Sequence, residues 1–352
     1  MISEDLVRSA LASVKYPGFS RDILSFGLVK SIRVEGADVE VDISLATKDA
    51  NIPRQIHEQA TTALNGLQGI GKIKLNFDIK EPPNAPGGSQ SAVQAGIPGV
   101  KHVIAVASGK GGVGKSTVSA NLAIALSHTG ARVGLCDCDL YGPSIAFMFG
   151  TDERPYATED NQIVPIEKHG LQLMSMGFLL DDDSPVIVRG PMATRYTQQF
   201  LRQCAWQNLD YLILDLPPGT GDIQLTIVQT VALTGAILVT TPQEVALIDA
   251  RKAASMFAKV NVPILGLVEN MSHFVCPNDG NFYHIFGKGG GEREAKRLGV
   301  PLLGQIPLEM LVRESGDEGK PAALADPATS SASKAFHDVA ARLVSIVHPA
   351  QG

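Results

Sequence analysis

Gly109-Lys110-Gly111-Gly112-Val113-Gly114-Lys115-Ser116 is the stretch that decides the fold of this 352-residue chain. It matches G-x-x-x-x-G-K-[ST], a loop whose glycines let backbone N–H groups converge on phosphate oxygens. Its surroundings agree. Residues 103–107 are a continuous apolar run, as in a buried strand, and 116–126 carry Val118, Leu122 and Ala125 at helical spacing. The start of that helix adds unpaired donors and a dipole that favours anions. Lys115 is expected to reach the terminal phosphates of ATP, and Ser116 to bind Mg2+ through its hydroxyl. A dinucleotide fingerprint, G-x-G-x-x-G, fits less well because it lacks the Lys-Ser pair, although Asp137 and Asp139 imitate its ribose-binding acid.

Further short apolar strands are expected at 131–136, 211–214, 236–240 and 264–268, with helices at 222–233 and 243–258. This alternation predicts an α/β fold with a mostly parallel sheet covered on both faces. Asp139 follows the second of these strands, at the carboxyl edge where such sheets bind ligands. Asp215 follows Tyr211-Leu212-Ile213-Leu214 and is expected to hold Mg2+, directly or through water. Beside it lies the tight turn Pro217-Pro218-Gly219-Thr220-Gly221-Asp222, where Gly219 is expected to place a backbone N–H near the terminal phosphate. Asp137 and Asp222 have a plainer reading as helix caps.

Toward the N-terminus, residues 1–81 form a small α+β domain. A helical pattern covers 6–14. Val39, Val41, Ile43 and Leu45 then alternate with Glu40, Asp42 and Ser44, the period of a strand with one wet face. A helix from Pro53 to 66 and a strand at 70–79 complete the unit. Glu81-Pro82-Pro83-Asn84-Ala85-Pro86-Gly87-Gly88-Ser89-Gln90-Ser91 is linker composition, so 82–98 separates this unit from a second domain at 99–352.

Hydrophobic residues make up 44% and charged residues 19%, a folded composition. The net charge of −6 gives no reason to expect nucleic acid as a partner. No apolar run reaches the roughly 20 residues of a membrane span. Met1-Ile2-Ser3-Glu4-Asp5 has no signal-peptide core, so a cytoplasmic protein is expected, with no membrane partner. Four cysteines do not make a disulfide scaffold. Cys136 and Cys204 read as packing, and Cys138 as a neutral thiol near the nucleotide.

Longer motifs carry a resemblance. They include the loop extended to Thr117, Asp137-Cys138-Asp139-Leu140-Tyr141-Gly142-Pro143-Ser144, Arg189-Gly190-Pro191-Met192, Asp215-Leu216-Pro217-Pro218-Gly219-Thr220-Gly221-Asp222 and Val268-Glu269-Asn270-Met271-Ser272. Over about 100–345 the chain resembles the Mrp/ApbC iron–sulfur cluster carrier ATPases, within the ParA/MinD group of P-loop NTPases. Residues 1–80 look like the MIP18-type (DUF59) domain often fused ahead of them. The resemblance implies a homodimeric ATPase that serves iron–sulfur client or assembly proteins. It implies that Lys110 is the signature lysine reaching the partner subunit's nucleotide, that Asp139 positions attacking water, and that Asn270 lies near the adenine ring. It also implies a cluster bridging two subunits through a C-x-x-C pair.

The chain departs from that last pattern. Cys276-Pro277-Asn278-Asp279 keeps the first cysteine and places Asp279 at the second position. A dimer then offers two thiolates where a cluster takes four. Three readings stand: a degenerate site, a labile cluster completed by Asp279 carboxylates or outside thiols, or a Cys276 that is only a small packed residue. Residues 1–81 contain no cysteine, which leaves that domain a docking or orienting role. The rival function is a ParA/MinD-like positioning or scaffold ATPase that binds a protein client without a cluster. The tail 336–347 reads as core packing, with Arg342 as its only cation, and not as an anchor to anionic membrane.

Overall fold

The computed structural model describes residues 2–14, 22–24, 28–46, 51–80, 96–158, 162–178 and 200–349. Two compact units emerge, Met1–Gln90 and Ser91–Gly352. Most of the expected linker, and Arg189-Gly190-Pro191-Met192, lie outside the described residues.

The first unit contains α1 (Glu4–Leu11), β1 (Val29–Glu35), β2 (Asp38–Ala46), α2 (Asn51–Asn65) and β3 (Ile73–Lys80). Its sheet runs β1-β2-β3, antiparallel and then parallel. The period of two in β2 buries Val39, Val41, Ile43 and Leu45 against Val7, Leu11, Ile56 and Leu64. The wet face is laced by Arg33–Asp42 at 2.8 Å and Lys74–Glu40 at 2.7 Å. Hydrogen bonds from Ser31, Asn76 and Arg33 hold the Asp42 carboxyl well below the usual range. Ser3 Oγ caps α1 by accepting from Leu6 N at 3.3 Å. Helix α2 begins two residues before Pro53, which still falls in the first turn, where its missing N–H costs nothing.

The second unit contains β4 (Val100–Ala107), α3 (Lys115–Ser127), β5 (Val133–Asp137), α4 (Ile145–Met148), β6 (Tyr156–Ala157), β7 (Ile163–Val164), β8 (Ile166–Lys168), β9 (Leu171–Met174) and β10 (Leu209–Asp215). It continues with α5 (Asp222–Thr230), β11 (Gly235–Thr240), α6 (Glu244–Lys259), β12 (Ile264–Glu269), β13 (Phe274–Val275), β14 (Phe282–Tyr283), α7 (Gly290–Leu298), β15 (Leu302–Gln305), α8 (Met310–Asp317) and α9 (Ser331–Val347). The eight-stranded sheet has the order β15-β12-β11-β4-β10-β5-β9-β8. Its pairs are parallel except β8 with β9. The expected mostly parallel α/β architecture is what the chain adopts.

Strand β4 shows why residues 103–107 are apolar throughout. Ile104 and Val106 enter the core with Val118, Leu122 and Phe336, while Val103, Ala105 and Ala107 enter the core with Leu214, Leu216 and Phe257. After β4 the chain crosses over to β5 on one side, and β11 later pairs on the other side of β4. The carboxyl end of β4 is therefore a topological switch point, the place where open α/β sheets bind ligands.

Candidate functional site

The loop 109–116 leaves β4 at that switch point and enters α3 at Lys115. Gly114, the residue before the helix, has φ 80°, a left-handed conformation that suits glycine. A Cβ there would also collide with Asn270 Nδ2. Asn270 is buried and donates Nδ2 to the Val113 carbonyl at 2.9 Å, so the end of β12 is bonded to the loop. Glu269, its neighbour, accepts from Gly291 N at the start of α7 and from Gln305 Nε2. Gly109 packs on α6 so closely that a Cβ would run into the Asp249 backbone.

Asp215, the last residue of β10, is fully buried beneath the loop. Its Oδ1 accepts from Lys115 Nζ at 2.7 Å and from Ser119 Oγ at 2.6 Å, and its Oδ2 accepts from Ser116 Oγ at 2.6 Å. Lys115 is only 6% exposed, so this ion pair sits in a dry environment, where its mutual attraction and its desolvation cost are both large. Ser119 was not anticipated as a site residue. Its signal was available, because i and i+4 share a helix face with Lys115. Gly219, with φ 92°, donates its N–H to Ser108 O at the root of the loop at 3.0 Å.

Asp137 ends β5 beside Asp215 in the sheet register. It caps α4 by accepting from Ser144 N and Ile145 N at 3.0 and 3.2 Å, and it also accepts from Asp139 N and Ser175 Oγ. Burial, then the charge of Asp215, pushes its carboxyl up to about 7. Asp139 is half-buried, and its Oδ1 accepts from Tyr141 N at 3.3 Å. The described hydrogen bonds give its carboxylate no link to the loop. Lys110 is half-buried, with its carbonyl accepting from Ser108 Oγ at 2.9 Å. Gly111 and Gly112 are exposed, and Thr117 is half-buried in the first turn of α3.

Cys276 lies apart from this cluster, at the tip of the β13–β14 hairpin. Its N–H donates to Asn281 O at 3.0 Å, and its carbonyl accepts from Gly280 N at 2.8 Å. Asp279 occupies the same tip. Its Oδ1 accepts from Asn281 N at 2.9 Å and its Oδ2 from Tyr283 Oη at 2.8 Å, bonds that hold its carboxyl down to about 2. Cys276 is half-buried, whereas Cys136, Cys138 and Cys204 are buried. No group of three or more His, Cys, Asp or Glu side chains is arranged to hold a metal ion among the described residues.

Residues 99–344 match the model of the NUBPL iron-transfer P-loop NTPases, a ParA-type family. The chain belongs to this family. Residues 4–75 match a second model, that of an iron–sulfur cluster assembly protein. An iron–sulfur cluster carrier protein from Deinococcus radiodurans is 46% identical over 340 residues, covering 96% of this chain and 94% of that protein. A nucleotide-binding protein from Archaeoglobus fulgidus, solved in complex with ADP, superposes with a TM-score of 0.58 at 36% identity, over 65% of this chain and 90% of that one. The septum site-determining protein MinD of Pyrococcus horikoshii, solved with Mg-ADP, superposes with a TM-score of 0.52 at 26% identity, over 68% of this chain and 94% of that one. As a family member with this P-loop fold, the chain is an ATPase. No helix among the described residues is long and apolar enough to cross a membrane.

Proposed function

We propose that the chain hydrolyses ATP in the loop 109–116 and uses the cycle to bind and release an iron–sulfur cluster held between two copies at Cys276. The observation that carries the reading is the Lys115–Asp215–Ser116 cluster at the switch point. A hydroxyl and a carboxylate 2.6 Å apart are hard oxygen donors suited to Mg2+, and Ser116 and Asp215 are the residues that would hold it. When bound, the ion offsets charge on the phosphates. Lys115 then exchanges one anionic partner, Asp215, for a richer one, the triphosphate. Lys110 adds a second cation from the neighbouring copy, Asp139 orients the attacking water, and Gly219 turns its N–H from Ser108 O to the terminal phosphate. Asn270 lies near the adenine ring of the bound nucleotide, and Thr117 extends the loop's donors.

The cluster is cargo. Two copies bring two Cys276 thiolates and two Asp279 carboxylates, and carboxylate is a harder ligand than iron in a cluster prefers. Such a site holds its cargo loosely, which suits a carrier. Exposed apolar side chains follow the carboxyl ends of several strands: Tyr141 and Phe147 after β5, Phe282 and Ile285 after β12, Met310 after β15. A second copy of the chain covers this face. Domain 1–81, without cysteine, docks client or assembly proteins.

Anaerobic loading with iron and sulfide, followed by ATP turnover, tests the reading. Wild-type chain should bind iron and sulfide, Cys276→Ser should bind neither, and Lys115→Ala should lose phosphate release by at least about 10-fold, the scale of one charge-assisted hydrogen bond. Bound iron near zero in the wild type refutes the carrier half, and unchanged turnover in Lys115→Ala refutes the site.

A further inference from the structure

We infer that Gln224 is a catalytic residue, which with the open N-terminus of α5 receives the terminal phosphoryl group of ATP and its attacking water. The inference rests on the ATPase reading of the loop 109–116 and adds a residue outside its motifs.

Gln224 is 1% exposed, yet neither its Nε2 nor its Oε1 has a hydrogen-bond partner among the described residues. A buried amide left unpaired at both ends is costly, and native structures retain few of them. Its place in the helix sharpens the point. Helix α5 has nine residues, and its N-cap is Gly221, which supplies no side-chain cap. Gln224 is the third residue of the helix, where a glutamine ordinarily reaches back to the N-cap N–H and closes a capping box. It does not do so here. Side chains in a helix lean toward its N-terminus, and from Gln224 that direction leads to the turn 217–221.

That turn belongs to the nucleotide site. It follows Asp215 directly, and its Gly219 N–H is bonded to Ser108 O at the root of the phosphate loop. The first N–H groups of any α-helix lack intrahelical partners, and the helix dipole there favours an anion. An amide with one donor and one acceptor end fits a phosphoryl oxygen and a water side by side. Nε2 donates to an oxygen of the terminal phosphoryl group, and Oε1 accepts from the water. The water oxygen then forms a bond to the terminal phosphorus while the bond to the bridging oxygen breaks, its electron pair leaving with ADP. Both of the water's protons end on the released phosphate, and Gln224 changes neither charge nor protonation.

A role in chemistry and a mere packing flaw predict opposite pairings of stability and rate. Replacing an unpaired buried amide by an apolar side chain of similar size removes a desolvation cost, so Gln224→Leu should melt at a higher temperature than the wild type. The same variant should lose kcat for ATP by about 10-fold or more, with ADP affinity by calorimetry within about 2-fold of wild type. Gln224→Met, unbranched, repeats the test should the leucine variant fail to fold. Wild-type kcat in a folded variant overturns the inference, as does an equal loss of ATP and ADP affinity at unchanged kcat. A wild-type chain with no turnover overturns the ATPase reading as well, so the two failures are told apart.

Discussion

Lys115 and Cys276 show what a single residue can and cannot announce. The loop motif announced Lys115, and the structure seats its amine 2.7 Å from Asp215, which the sequence marked as a Mg2+-holding acid and not as the partner of that lysine. Ser119 went unassigned because a serine in a helix has many plainer uses, whereas Asp137, read as a helix cap, does cap α4. The four cysteines separate by burial, which their spacing did not show. Burial pushes the Cys204 thiol up to about 12, and Cys138 is raised by its contact with Cys136 and by burial. Thiolate is the reactive form, so these groups stay inert at pH 8. A thiol reagent should therefore label one cysteine per native chain rapidly, Cys276, and all four in denaturant. Rapid labelling of two or more in the native chain, located by peptide mapping, contradicts this partition.

At the scale of elements, long apolar strands and the helices between them were legible, because burial on both faces makes 103–107 of β4 and 211–214 of β10 continuous apolar runs. Short pieces were not. The strands β6, β7, β13 and β14 have two residues each, too few to show a period, and α7 opens on glycines that read as loop. The C-terminal helix tests the expectation of core packing. Helix α9 buries Phe336, Val339, Ala340 and Leu343, and Ser330 Oγ caps it by accepting from Ser333 N at 3.1 Å. Gly304 of β15 lets it approach, since a Cβ there would collide with Val339. Phe336→Ala removes a fully buried ring and should cost about 3–5 kcal/mol of stability by denaturant titration. A change below about 1 kcal/mol would mean that α9 is peripheral to the core.

At the scale of the molecule, the question is what covers the carboxyl-end face of the sheet. Phe147, Phe282, Ile285 and Met310 are 65%, 64%, 58% and 61% exposed, and they lie in the connections that follow β5, β12 and β15 of the parallel sheet. Scattered apolar residues are ordinary on a surface, but a set gathered on one face marks an interface. The charge pattern bears on which partner fits it. The net charge of −6 opposes association of two copies at long range, whereas on the proposed reading a bound triphosphate would give Lys110 of each copy an anion to reach in the other. Association should therefore depend on nucleotide. Light scattering should report a monomer without nucleotide and a dimer with Mg2+ and a non-hydrolysable ATP analogue. Lys110→Ala should stay monomeric under both conditions while binding the analogue within about 3-fold of wild type, because Lys115 and the loop amides remain in place. Phe282→Asp should also weaken the dimer, since a desolvated charge in an apolar contact is costly. A wild-type chain that stays monomeric with the analogue bound would leave the apolar face without its second copy and remove Lys110 from the other subunit's phosphates.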